Sequence, residues 1–232
     1  MPDTWDFSQK PQRAGPVMQT PFLTYLLILL STLITIAYLL PGAISSPLWY
    51  QLGHFGLDDG ARNAPWGLIT TIFVHGSPLH LIFNMLWLYA LGRTLESTLP
   101  PLVYLVFIIC AAAVGSGCET LISGSPGIGM SGVVYAMFAL MWAGRGLYPA
   151  WGVIATRDNL RFLIIWALIC IVATYVPILH IGVANGAHVG GFLFGLCIGF
   201  LFFTPRRRWV WAGPLVILVG VTVFSAIRLH YA

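Results

Sequence analysis

One serine and one histidine in this sequence could together hydrolyse a peptide bond. Ser131 lies in the run Gly129-Met130-Ser131-Gly132, where a loop rich in Gly, Ser and Pro passes into an apolar stretch. Glycines beside a serine allow a tight turn that leaves the hydroxyl accessible at the start of a helix. A serine hydroxyl is a weak nucleophile until a base removes its proton, which a histidine does near neutral pH. His188 is the candidate base, so the two residues form a candidate catalytic dyad.

Two more polar side chains could receive the negative charge that develops on the carbonyl oxygen of an attacked amide. His80 and Asn84 are four residues apart and share one face of a predicted helix. Together with the backbone N–H of Ser131, at the positive end of its own helix, they are candidates for an oxyanion hole. His75, five residues before His80, is either a partner in this network or an interfacial residue.

The spacing of small residues after the histidine predicts that two helices meet. His188, Gly191 and Gly195 follow one helical stripe at i, i+3 and i+7. Glycines on that stripe allow close packing on a neighbour, and His188 meets Ser131 if the neighbour is the serine helix. Tyr135, one turn after Ser131, is a packing residue whose ring could orient the imidazole.

The carboxylate that usually completes a serine–histidine triad is not evident. Glu96 is predicted at the cytoplasmic end of its helix, and Glu119 belongs to a different helix end. A dyad is therefore expected. The alternative is a metal or haem site built from His75, His80 and His188, but no Cys, Met or carboxylate ligand is expected at the same depth. Neither a cofactor nor a metal is predicted.

The composition places these residues in a membrane protein. Of the 232 residues, 58% are hydrophobic and 8% are charged, and the mean hydropathy is +0.86, whereas soluble domains carry about 25% charged residues. The four cysteines lie in apolar runs and indicate packing residues rather than disulfides. Seven apolar stretches have the roughly 17–25 residues needed to cross a bilayer. They predict an all-α polytopic bundle with about seven transmembrane helices, at 22–40, 79–96, 101–120, 131–147, 160–178, 185–203 and 209–228.

The positions of Lys and Arg predict the orientation of these spans. Most of the basic residues lie on one side if the N-terminus is cytoplasmic, which the positive-inside rule favours. The second, fourth and sixth helices then start on the outer side, each with polar residues at a similar depth. Because the basic residues are scattered over short loops, no nucleic-acid partner is expected. The first 20 residues lack the apolar core of a signal peptide, so the first span is expected to direct membrane insertion.

Three stretches in this order and spacing together resemble the rhomboid intramembrane serine proteases: HLIFNMLWLYALGRTLE, GMSGVVYA and ANGAHVGGFLFG. The resemblance runs from the first span to about residue 203. The positions that match the family's functional residues are Ser131 and His188 for the dyad, His80, Asn84 and the Ser131 amide for the oxyanion hole, Tyr135 beneath His188, Asn185 in the cavity, the motif glycines Gly129, Gly191 and Gly195, and Glu96 as an anchor of the second helix.

The resemblance also implies an architecture. The loop at 41–78 would be a laterally embedded hairpin, and the loop at 177–183 would cap the site. Two features depart from the family pattern: Trp66-Gly67 stands where many members have Trp-Arg, and a seventh helix follows the minimal six. Three segments are expected, namely a short cytoplasmic segment at 1–20, a six-helix catalytic core at 21–204 and an additional transmembrane helix at 205–232.

The sequence therefore predicts an intramembrane serine endopeptidase that cleaves transmembrane segments of other membrane proteins, which arrive laterally from the lipid. A bacterial inner membrane is the expected location. The alternative is a catalytically inactive relative that binds membrane proteins, but such relatives usually lack one member of the dyad, and Ser131 and His188 are both present. The sequence leaves open the substrate, its cleavage-site preference and the oligomeric state.

Overall fold

The computed structural model describes residues 20–40, 64–176, 182–204 and 208–231. Within these ranges the chain contains helices and no strand, which confirms the predicted all-α bundle. The elements are α1 (Phe22–Tyr38), α2 (Gly67–Thr70), a 3-10 helix (Thr71–Phe73), α3 (Pro78–Glu96), α4 (Pro101–Ser123), α5 (Ser131–Gly144), α6 (Pro149–Ile154), α7 (Arg157–Tyr175), α8 (Asn185–Phe203) and α9 (Arg208–Tyr231).

Seven of these helices overlap the seven predicted spans, with ends that differ by up to three residues. Each of α4, α7, α8 and α9 is long and apolar enough to cross a membrane. The segment from α2 to α3 meets the same requirement as one bent element, although its two arms meet at 100°. The other two, α1 with 17 residues and α5 with 14, are shorter. Most of the predicted hairpin (residues 41–63) and of the predicted cap (residues 177–181) lies outside the described residues.

Local sequence signals fix where several helices begin and end. The Ser77 hydroxyl accepts a hydrogen bond from His80 N at 3.2 Å and caps α3. Thr156 caps α7 in the same way, because its hydroxyl accepts from Asn159 N at 3.1 Å. Helix α4 ends at Gly124, whose positive φ of 83° suits glycine. No N-cap side chain caps α5, and the same is true of α1, α4 and α8.

The serine helix α5 lies at the centre of the bundle. Its residues 132–141 are all buried, so this stretch has no lipid-facing side. Helix α8 packs along both α5 and α4, and α3 covers another side of α5. Most apolar side chains of α7, in contrast, are exposed. Of the four free cysteines, Cys170 and Cys197 are buried but Cys110 is exposed, so the prediction of a packing role is wrong for Cys110, which faces away from the bundle.

Glu96 anchors α1 to α3. Its Oε1 accepts the Leu23 N–H at 2.8 Å, and its Oε2 accepts the N–H and the hydroxyl of Thr24 at 2.8 and 2.7 Å. These N–H groups belong to the first turn of α1, which has no capping side chain of its own. The buried carboxylate therefore caps α1 from the end of α3.

Glu96→Ala is expected to lower the free energy of unfolding by about 3 kcal/mol, because it leaves buried donors without an acceptor. Glu96→Gln keeps one acceptor oxygen, so it is expected to lower the free energy of unfolding by about half as much. Thermal unfolding in detergent, followed by circular dichroism, measures both values. Ser97→Ala is the matched control, since the Ser97 hydroxyl donates to Thr94 O within its own helix. If Glu96→Ala lowers the free energy of unfolding no more than the control does, the contact between Glu96 and α1 does not stabilise the protein.

The additional helix α9 packs on α4 and α8. Ser225 is fully buried, and its hydroxyl donates to Gly117 O at 2.8 Å. Arg228 Nη1 lies 3.5 Å from Thr120 O, about one turn further along α4. Leu229 is buried against the segment that begins α2. The last turns of α9 are thus attached both to the end of α4 and to the segment that leads into α3.

Candidate active site

Glycines on α8 let the histidine helix lie directly against the serine helix. A Cβ added at Gly191 would overlap the carbonyl oxygen of Gly132, and one added at Gly195 would overlap that of Ala136. On the other side of the contact, a Cβ at Gly132 would lie 3.0 Å from Ala187 O. The structure therefore places Gly191 and Gly195 at the helix contact that their spacing predicts, with no room for a side chain between the backbones.

This contact brings the candidate nucleophile and base together. His188 Nε2 lies 2.8 Å from Ser131 Oγ, which is hydrogen-bond distance. The imidazole is 4% exposed and stacks on the Tyr135 ring, with centroids 4.7 Å apart and planes inclined by 23°. Tyr135 is held in turn, because its hydroxyl donates to Leu163 O at 2.7 Å. His188 Nδ1 is buried and has no hydrogen-bond partner among the described residues, so packing orients the ring there.

No side chain caps the N-terminus of α5. The backbone N–H groups of its first turn, including that of Ser131, therefore lack the partners that a cap provides. These groups and the helix dipole favour negative charge at this point. Gly129, just before the helix, has a φ of 106°, and a Cβ there would lie 2.6 Å from His80 Cε1. Glycine therefore serves both the turn and the approach of the His80 ring.

His80 and Asn84 lie on the first turns of α3. The half-buried His80 ring packs beside Gly129, next to the turn that carries Ser131. Asn84 is buried, and its Nδ2 donates one hydrogen bond to His80 O at 2.9 Å. An amide nitrogen carries two N–H groups, so the second is left for another acceptor. The structure thus brings His80 to the serine loop and places Asn84 one turn further along the same helix.

His75 is a buried link behind the serine loop. Its Nε2 accepts the N–H of Met130, the residue before Ser131, at 3.3 Å. Its Nδ1 lies 3.2 Å from Thr35 Oγ1, and that hydroxyl also accepts the His75 N–H at 3.1 Å. Since Nε2 accepts a hydrogen bond, the ring proton is assigned to Nδ1. Of the two alternatives for His75, the structure places it in a network and not at an interface.

Two polar side chains hold the start of α8. Asn185 Nδ2 donates to Thr174 Oγ1 at 2.9 Å, so Asn185, which the resemblance placed in the cavity, links α8 to the end of α7. Glu119 Oε2 accepts the Gly186 N–H at 2.7 Å, two residues before His188. Sequence reasoning gave Glu119 no role. The signal that could have found it is its position in an apolar helix, where a carboxylate needs a partner.

The three histidines of the alternative metal site make other contacts in the structure. Within the part of the chain that the structure describes, no three His, Cys, Asp or Glu side chains are grouped closely enough to hold an ion. The rings of His75 and His80 meet edge to face at 4.9 Å, and Nε2 of His75 is bonded to the Met130 N–H. His188 Nε2 faces Ser131.

Known proteins resemble this chain over most of its length. A family model described as the Rhomboid domain matches residues 62–205. Two proteins named Rhomboid protease GlpG, from Salmonella newport (strain SL254) and Salmonella typhimurium (strain LT2), are each 32% identical to this chain over 197 residues. The aligned part covers 85% of this chain and 67% of each relative. The family match contains every candidate residue of the site, whereas α9 lies beyond it.

Proposed function

Since this chain belongs to the rhomboid family and is a serine endopeptidase of the membrane, we propose that Ser131 and His188 are its catalytic dyad and that it cleaves membrane-spanning segments of other proteins. The observation that carries the proposal is the 2.8 Å distance between His188 Nε2 and Ser131 Oγ. The uncapped N-terminus of α5, directly beside this pair, supports it.

The dyad acts in two stages. His188 Nε2 removes the hydroxyl proton while Ser131 Oγ attacks the scissile carbonyl carbon, and the imidazolium then gives its proton to the leaving amine. A water molecule, deprotonated by the same nitrogen, then attacks the acyl ester. The imidazolium returns the proton to Ser131 Oγ, and the product leaves with a new carboxyl terminus. The Tyr135 ring stabilises the imidazolium through its π face, by about 0.5–2 kcal/mol. Because the imidazole is charged only during proton transfer, this contact favours the transition state.

The oxyanion forms at the N-terminus of α5. The Ser131 N–H donates to it along the axis of the helix dipole, and His80 and the second N–H of Asn84 donate from α3. Each donor contributes about 3 kcal/mol when it is fixed before the charge develops. His75 helps to fix the first of them, since it holds Met130 N through its Nε2.

The substrate segment enters from the lipid between α3 and α7. The backbones of these helices make little direct contact. The gap is spanned by two pairs of stacked rings, Phe83 with Trp166 at 5.4 Å and Trp87 with Phe162 at 5.9 Å between centroids. Movement of these rings, or of the exposed α7, opens a path while α5 and α8 stay in contact. The distribution of Lys and Arg favours a cytoplasmic N-terminus. With that orientation, the site faces the outer side of a bacterial inner membrane.

A helical substrate must unwind beside Ser131, because a helical peptide bond is sterically covered and internally hydrogen-bonded. In proteoliposomes, a substrate with Gly or Pro near its outer end is expected to be cleaved at least about tenfold faster than a matched substrate with a leucine run. Mass spectrometry of the products gives the rate and the cleavage site. Equal rates for the two substrates would contradict the unwinding step.

A second measurement tests the proposed function itself. The purified wild-type protein is expected to react with a fluorophosphonate, which labels activated serines, and this label is expected to lie on Ser131. If neither cleavage nor labelling by any activated-serine probe occurs in a folded preparation, the proposed function is overturned in favour of an inactive membrane-protein binder.

A further inference from the structure

We propose that Glu119 is a positioning residue that orients His188 through the backbone of α8, in place of the carboxylate that a serine–histidine triad holds against the imidazole. The inference rests on the proposed function, because a base must be oriented only if His188 acts as one. It assigns a role in the reaction to a buried carboxylate on α4 that does not touch the dyad side chains.

The Glu119 carboxylate is enclosed against the first turn of α8. It is 7% exposed, and its Oε2 accepts the Gly186 N–H at 2.7 Å. A Cβ at Gly186 would lie 2.9 Å from that oxygen, and a Cβ at Gly127 would lie 3.2 Å from Glu119 Cγ. The carboxylate therefore fits only because two backbone segments beside it carry no side chain.

This contact supplies what the start of α8 otherwise lacks. No residue of α8 or its N-cap provides a side-chain cap, and a carboxylate at a helix N-terminus both accepts an orphan N–H and complements the dipole. His188 belongs to the same turn as Gly186. Because His188 Nδ1 has no partner among the described residues, the position of that turn and the Tyr135 ring together set where Nε2 lies.

Helix α9 contacts the end of α4, the part of that helix that carries Glu119. The Ser225 hydroxyl donates to Gly117 O at 2.8 Å, and Arg228 Nη1 lies 3.5 Å from Thr120 O. These two carbonyl groups are two residues before Glu119 and one residue after it. The end of α4 is thus fixed between α9 and α8, and the carboxylate is fixed with it.

Three substitutions of Glu119 separate the effects that its length, its charge and its packing have on kcat. Glu119→Gln keeps the length and an acceptor oxygen, and its kcat is expected to stay within about threefold of wild type. Glu119→Asp keeps the charge but shortens the side chain by one methylene group, so the carboxylate lies further from the Gly186 N–H. We expect kcat to fall about tenfold. For Glu119→Ala the expected fall is about 10- to 100-fold, the range for a misplaced catalytic group. KM is expected to be unchanged, since no substrate contact is altered.

The measurements are kcat and KM for cleavage of one transmembrane substrate in micelles, and the rate of fluorophosphonate labelling of Ser131, each per mole of folded protein from size-exclusion chromatography. Thr120→Ala is the matched control. Thr120 is also buried on the same helix, but its hydroxyl donates to Ser116 O within α4, so the kcat of this variant is expected to equal that of wild type.

Several results would overturn the inference. These are a Glu119→Ala protein as active as wild type, a Glu119→Asp protein at least as active as Glu119→Gln, or a Thr120→Ala protein that loses as much activity as Glu119→Ala. An inactive and unlabelled wild-type protein is a different outcome, because it removes the proposed function as well. Wild-type activity therefore separates a failure of this inference from a failure of the function.

Discussion

Ser131→Ala and His188→Ala are each expected to lower kcat for substrate cleavage by about 10,000-fold or more. Without Ser131 Oγ no acyl-enzyme forms, and without His188 Nε2, which lies 2.8 Å from that oxygen, its proton has no acceptor. Because the two groups act as a unit, the double substitution is expected to cost little more than either single one. Cleavage in proteoliposomes and fluorophosphonate labelling measure the effect.

Ser97→Ala and His230→Ala are the matched controls for these two substitutions. Ser97 lies at the opposite end of α3 from His80, and the His230 ring packs against Tyr231 near the end of α9. Both variants are expected to keep wild-type cleavage and labelling. If either dyad variant retains more than about a tenth of the wild-type rate, a factor too small for the loss of a nucleophile or its base, the assignment is wrong.

Gly191→Ala and Gly195→Ala are expected to lower kcat by about 100-fold and to destabilise the bundle by roughly 3 kcal/mol. A methyl group at either position would overlap a carbonyl oxygen of α5, which is main chain and cannot rotate away. The two helices must therefore separate, and His188 Nε2 moves out of hydrogen-bond distance of Ser131 Oγ. The kcat of cleavage and the thermal midpoint in detergent measure the two effects.

Gly220→Ala on α9 is the control for the glycine substitutions. A Cβ at Gly220 meets nothing within 4 Å among the described residues, and alanine favours a helix over glycine. This variant is expected to be as active as wild type and at least as stable. Wild-type activity in Gly191→Ala would refute the view that direct backbone contact sets the dyad distance.

Polar residues within an apolar chain made the contact between Ser131 and His188 predictable. Few polar residues occur in the predicted spans, so each was a candidate for a contact between helices. The helical stripe of His188, Gly191 and Gly195 indicates which face of α8 is packed and that it is packed closely. Helix ends were less predictable. Hydropathy placed the start of one span at residue 160, whereas Thr156 caps α7 and the helix begins at Arg157. The first turn of α7 is polar, so hydropathy alone does not include it in the span.

Contacts that depend on which helices become neighbours were not predictable from one sequence. Glu119 and Gly186 are 67 residues apart, and nothing in either local pattern names the other. The same holds for Ser225 and Gly117, which are 108 residues apart. Periodicity gives the face that a helix buries, but it does not give the partner of that face, so the cap on α8 and the attachment of α9 emerged only from the fold.

Helix α5, with 14 residues, is short for the central helix of a membrane-spanning bundle. A lipid-facing helix of 14 residues, about 21 Å long, would create hydrophobic mismatch with a bilayer core of about 30 Å. The buried stretch of α5 faces no lipid, so the mismatch has no cost there. Because α8 begins three residues before His188, its start lies roughly 5 Å above the level of Ser131. The bundle therefore accommodates the short α5 without exposing its polar backbone groups to lipid.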